Sequence, residues 1–151
     1  KGRAKNMNMK KKIAGIVLAG ALAIGGSAMA ATPEATAFGA EQQVSDQWID
    51  TMLVKSQVDD AYGMMSEESR KNIQKDKFQE LRAKIAADMG AVKGGRLVSW
   101  TRFDQNDQMI YFLSFEKQPV VRCLLVFDKQ GKLANFELNP MKAVEKKDAG
   151  K

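Results

Sequence analysis

The sequence has no histidine, a single cysteine, three prolines and two tryptophans. Without histidine there is no imidazole to activate a serine or cysteine nucleophile, and no His-containing metal site. One cysteine cannot close an internal disulfide or build a thiolate zinc site. At 151 residues the chain has room for one domain of modest size and excludes a multidomain enzyme. No Gly-rich phosphate loop is present, because Gly94-Gly95 leads into a strand pattern and not into a helix after Gly-Lys-Ser/Thr. The acids of Asp104-Gln105-Asn106-Asp107 lack the loop and closing glutamate of a calcium-binding hand. Methionines 52, 64, 65, 89 and 109 fall at core-like positions and make a poor case for a soft metal. No metal and no cofactor is expected.

The formal charge of +6 invites a polyanionic partner until its distribution is read. Six of the 24 basic residues and none of the 18 acidic ones precede Ala31. From Ala31 onward the chain is neutral, so no nucleic-acid partner is expected. The basic excess sits beside a segment with the grammar of a secretory signal. Lys10, Lys11 and Lys12 precede an apolar core over 13–24, Gly25-Gly26-Ser27 breaks it, and Ala28-Met29-Ala30 supplies a small-residue cleavage site. Cleavage after Ala30 predicts an exported protein, periplasmic or secreted, with no stable membrane span once the segment is removed. Residues 1–8 read as an upstream extension. Cys123, inside Val120-Val121-Arg122-Cys123-Leu124-Leu125, reads as a buried small hydrophobe whose thiol is unreactive.

After a small-residue lead-in over 31–39, expected to be flexible, the apolar spacing becomes helical. Val44, Trp48 and Met52, with Ile49 and Leu53 beside them, predict a helix over 40–53. Val58, Ala61, Tyr62 and Met65 predict a shorter one over 58–65, and Ser66 reads as an N-cap before Glu67 and Glu68. Phe78, Leu81, Ile85 and Met89 share one face of a helix over 75–89, with Arg82, Lys84 and Asp88 directed elsewhere and Gly90 as its stop. The period then changes. Strands are expected over 96–104, 108–116, 120–128 and 132–138, with Lys93-Gly94-Gly95 as a break and Asp128-Lys129-Gln130-Gly131 as a tight hairpin loop. Asn139-Pro140 ends the last strand.

Three helices followed by four short-looped strands define an α+β fold, with N-terminal helices packed on a curved four-stranded antiparallel sheet. The domain is expected over 40–140, ahead of a polar tail over 141–151. The second and third strands are apolar on both faces. Either sheet curvature and a long first helix bury the surplus, or the open face takes a partner such as a second copy of the chain.

The run from Gln47 to Leu138 resembles the small bacterial secreted domains of unknown function of the DUF3887 group, within the cystatin-like, NTF2-like superfamily. The resemblance rests on Trp48-Ile49, on Val58-Asp59-Asp60-Ala61-Tyr62, on Met65-Ser66 and on Phe78-x-x-Leu81 leading to Met89-Gly90. It closes with Leu124-Leu125-Val126-Phe127-Asp128 through Gly131-Lys132-Leu133. The resemblance implies a cone in which helices wrap a curved sheet, often with a pocket between them and frequently as a dimer. It implies no activity, because the same cone serves enzymes, binding modules and assembly domains. Some superfamily members pair an acid with histidine or tyrosine, and this chain has no histidine to fill that role.

No catalytic set can be assembled from these residues, and the noncatalytic reading stands ahead of the enzymatic one. Asp59 and Asp60 are explained by a helix start, and Asp104 and Asp107 by a strand end and turn. Tyr62, Trp100 and Tyr111 are candidates to line a ligand pocket, although packing explains each of them. Arg102 and Arg122 lie in strands; if both entered one cavity they would suit an anionic ligand. The expected function is an exported, noncatalytic domain of the cell envelope that binds a small apolar or anionic ligand or a protein. A structural dimerisation domain and a small pocket enzyme are the alternatives.

Overall fold

The computed structural model describes residues 31–142. The upstream extension and signal segment expected at 1–30, and all but the start of the tail expected at 141–151, lie outside the described residues. The element order is α1 (Pro33–Ile49), a π-helical turn (Asp50–Val54), α2 (Val58–Gly63), α3 (Glu67–Asn72) and α4 (Lys75–Met89). Four strands follow, β1 (Val92–Arg102), β2 (Asp107–Phe115), β3 (Val121–Phe127) and β4 (Leu133–Pro140). The strands pair antiparallel in the order β1-β2-β3-β4, a meander with the helices packed on one face. This is the α+β architecture expected, and its outline is compatible with an NTF2-like or cystatin-like cone. Among the described residues no helix is long and apolar enough to cross a membrane.

The lead-in expected to be flexible over 31–39 is instead helical. Thr32 caps α1 by accepting the Ala35 N–H at 3.1 Å, and Pro33 takes the first turn, where its missing N–H costs nothing. Helix α1 then runs into the π-helical turn, in which the Lys55 N–H donates to the Asp50 carbonyl five residues back at 2.8 Å. Ser66 caps α3 as expected, accepting from the Ser69 N–H at 3.2 Å. Helix α4 spans 75–89 as expected and stops at Gly90, whose φ of 77° suits glycine.

The buried face of α4 differs from the expected one. Phe78, Arg82, Ile85 and Met89 are buried, whereas Leu81 is 37% exposed. Phe78, Ile85 and Met89 are buried as expected, and only Leu81 gives up its place, to Arg82. Its Nε donates to the Met52 carbonyl at 2.7 Å, and its Nη2 donates to the Leu53 carbonyl at 3.1 Å and to Ser56 Oγ at 2.7 Å. Those carbonyls lie at the end of the π-helical turn, where backbone donors run out. Ser56 itself sits at φ 56°, a left-handed conformation that closes the turn.

Strand β1 begins at Val92, four residues earlier than expected, and Gly94 and Gly95 belong to it. The register shifts between Val92 and Gly94, and a Cβ at Gly95 would collide with the Leu113 side chain across the pair. Gly95 therefore permits close strand approach where the sequence suggested a break, whereas Gly94 stands in open space. Strand β2 alternates cleanly, with Met109, Tyr111, Leu113 and Phe115 buried against the helices. Trp48 packs against Phe136 at 4.7 Å between ring centres, and Phe78 packs edge-on against the same ring at 5.8 Å. This aromatic group joins α1 and α4 to β4. Cys123 is fully buried in the same core, and burial pushes its thiol up to about 12. It should not react with Ellman's reagent in the folded protein and should react fully in denaturant; rapid labelling of the native state would refute that placement.

The opposite sheet face carries Ile110 and Phe112 of β2 with Leu124 and Val126 of β3. Leu124 is buried even there, and the other three are half-buried. The first helix lies on the other side, so it does not cover them. The Arg96 guanidinium lies 5.7 Å from the centre of the Phe112 ring and shields part of it.

Candidate functional site

Several concavities border the helices and sheet of the described residues, among them a small one of about 220 Å³ lined by Asp46 and Tyr111, and two of them carry the groups of interest. The first is a groove of about 630 Å³ between α4 and β4. Leu81, Ile85 and Met89 line it from α4, and Phe136 and Leu138 from β4. Ile85 and Met89 reach it from the edge of the buried stripe of α4, and Leu81 joins them because Arg82 takes the inward place beside it. Lys84, Asp88 and Gln118 supply the polar lining. Lys84 donates to Asp88 at 2.6 Å, one turn along the helix, so this pair brings no net charge to the groove. The volume and the apolar walls suit a small ligand, and a few polar groups at the rim could orient it.

The second concavity, of about 560 Å³, lies beneath the first half of α1. The α1 side contributes Pro33, Thr36 and Glu41, and the sheet side contributes Arg102, Asp107 and Lys129. Glu41 and Asp107 are each 2% exposed. Glu41 Oε2 accepts from the Trp100 indole N–H at 2.7 Å. Asp107 is held by a forked Arg102, with Nε to Oδ1 at 3.0 Å and Nη2 to Oδ2 at 2.9 Å. Burial above all, opposed by the Trp100 bond, aided by the neighbouring Asp107 and countered by Arg102, leaves the Glu41 carboxyl pushed up to about 7. The Arg102 guanidinium holds Asp107 below the usual carboxylate range, and its bonding with Glu41 acts in the same direction. One proton therefore resides with the Glu41–Asp107 pair at mildly acidic pH, on Glu41, and it is released through neutrality.

The five residues singled out from the sequence do not form one site. Trp100 and Arg102 meet at the second concavity, both engaged with carboxyls, and Phe38 packs edge-on against Trp100 at 5.7 Å. Tyr111 faces the helices, and its hydroxyl donates to Asp46 Oδ1 at 2.8 Å, which fastens β2 to α1. Burial and the Asp46 carboxylate raise its phenol well above the ordinary value. Tyr62 is a staple: its hydroxyl reaches the carbonyls of Arg70 and Ile73, both at 2.8 Å. Arg122 alternates with the buried Val121 and Cys123 and stands on the open face beside Phe112. Arg102 pairs in register with Asp107, next to the helix-facing end of the sheet. The two arginines therefore do not enter a common cavity.

Glu41 was not visible as a candidate. Its signal was present in the spacing Glu41, Ser45, Trp48, Met52, which places a carboxyl on the buried stripe of α1. Leu81, Ile85 and Met89 carry the spacing of ordinary core positions, which does not mark a groove. Among the described residues no group of three or more potential ligating side chains is placed to hold a metal ion. Comparison with known proteins finds no family model and no curated protein that matches the chain.

Proposed function

We propose that this chain is an exported, noncatalytic ligand-binding domain that takes a small, neutral, apolar molecule in the groove between α4 and β4. The observation that carries this reading is the groove itself, about 630 Å³ with Leu81, Ile85, Met89, Phe136 and Leu138 in its walls. The internally paired Lys84 and Asp88 favour an uncharged ligand over an anionic one. Export rests on the lysine-flanked apolar run and on Ala28-Met29-Ala30, and it implies a periplasmic or secreted protein of the cell envelope. The proposal extends to kinship with the DUF3887 group of the NTF2-like superfamily, with which the element order is compatible. The Glu41–Asp107 pair favours binding over catalysis, because Trp100 and Arg102 already engage its oxygens.

Titration with the neutral fluorophore N-phenyl-1-naphthylamine tests the groove. Saturable binding is expected, weakened at least about tenfold by Leu81→Asp, which places a charge in an apolar wall at a position already in contact with water. Absence of saturable binding, or equal affinity in the variant, would remove the groove as the ligand site.

A second reading has its own observation. Ile110, Phe112 and Val126 stay half-exposed on the sheet face away from the helices, which favours a homodimer through that face. Native mass spectrometry tests this second reading: a dimer is expected, and a monomer at high concentration removes it.

A further inference from the structure

We propose that Glu41 and Asp107 form a proton-operated latch, in which a shared proton seats the first half of α1 on the sheet and loss of that proton releases it from the concavity beneath. The geometry requires the proton. Glu41 projects from α1 into a place that is 2% exposed, lines the same concavity as the equally buried Asp107 of β2 and bonds with it. Asp107 is neutralised by Arg102, whose two nitrogens grip both of its oxygens. The Trp100 indole can donate a hydrogen bond to Glu41 but carries no charge. Of the other charged groups around the pair, Lys129 on the β3–β4 hairpin acts on Asp107 and donates to the Phe103 carbonyl, and Glu34 of α1 acts on Arg102. A second buried carboxylate would thus face Asp107 with no forked guanidinium of its own. The inexpensive relief is for the segment that carries Glu41 to lift into water.

That segment is suited to move. Between Pro33 and Glu41 its recorded polar tie to the sheet is the Glu41–Trp100 bond, and its aromatic contact is Phe38 on Trp100. The later part of α1 is held more firmly, with Ser45 Oγ on Met109 Sδ, Tyr111 on Asp46 and Trp48 in the core. The latch therefore sits at the junction between a lightly held half-helix and a fixed one.

Native-state hydrogen exchange on the full chain tests this at pH 5 and pH 7.5, corrected for intrinsic rates. Amides of residues 37–41 are expected to open more readily than those of β3, and their opening equilibrium should increase about sixtyfold between the two pH values. Glu41→Gln should abolish that increase. Should this variant fail to fold, carbon-13 NMR titration of the Glu41 carboxyl in the unmodified chain decides, with a midpoint near neutrality expected. A midpoint near the ordinary glutamate value of 4.5 overturns the latch. So does exchange at 37–41 that is independent of pH, or that occurs only together with β3.

Discussion

Glu41→Gln is expected to make the domain more stable at pH 8 by about 3 kcal/mol and to leave its stability at pH 4.5 almost unchanged. The sign follows from the direction of the shift. The Glu41 carboxyl titrates at about 7 in the folded chain against an ordinary value of 4.5, so between those values the native state holds a proton that the unfolded chain has released. Stability therefore falls as pH rises through this window and levels off above it. Glutamine keeps an oxygen for the Trp100 N–H and offers an amide proton toward Asp107, but never charges. Asp107 works in the opposite direction. Its carboxylate is held below its ordinary value by Arg102, so its contribution is present at neutral pH and is lost as pH falls below the unfolded value. The unmodified protein should thus be most stable on the acid side of neutrality, and the variant should hold a plateau through pH 8. Urea unfolding across pH 4.5–8.5 measures both curves. Parallel curves would show that Glu41 is ionised in the folded state.

Arg82→Met should cost about 3 kcal/mol, and for a domain of this size that lowers the melting temperature by about 10–20 °C. Methionine preserves much of the buried stem and removes the three hydrogen bonds to Met52, Leu53 and Ser56. Two main-chain carbonyls then lose their partner in a place water barely reaches. Burial lowers the pKa of the guanidinium, which stays charged across the working range. Arg82→Lys should recover part of the loss, since one ammonium cannot span the same fork. The comparison is Lys84→Ala, which breaks the exposed pair with Asp88 and should change stability by less than about 0.5 kcal/mol. Thermal unfolding followed by circular dichroism separates these cases. A shift under about 3 °C for Arg82→Met would mean that the π-helical turn does not depend on the arginine.

Position 82 also shows where sequence reading stopped. Local signals were legible: the Ser66 cap, the Gly90 stop, the bounds of α4, the alternation of β2 and the hairpin at Gly131 are each written in residues within a few positions of one another. Helix phase was less so. Leu81 and Arg82 are adjacent, and hydrophobicity alone points Leu81 inward. The choice is reversed by carbonyls some thirty residues away, which periodicity cannot register. Glu41 escaped for the same reason, because its partners Trp100 and Asp107 belong to strands far along the chain. Gly94-Gly95 looked like a break because glycine usually is one; the Leu113 side chain across the ladder explains Gly95 as strand, and no contact explains Gly94. Of the five candidate residues, Trp100 and Arg102 converge because they sit two apart on one strand, as residues sharing a face must.

Strand β1 has a consequence for how copies of the chain meet. At eleven residues it is the longest strand, and it lies at the edge of the sheet, where a straight ladder of free N–H and C=O groups would template pairing with a neighbour. Its two register shifts, at Val92/Gly94 and Leu97/Ser99, bend that ladder twice, and Arg96 and Arg102 add charge to it. The other edge, β4, ends in Asn139-Pro140, which interrupts the donor row. Both margins of the sheet are therefore shaped against strand addition. Runaway edge-to-edge stacking of copies is thereby disfavoured.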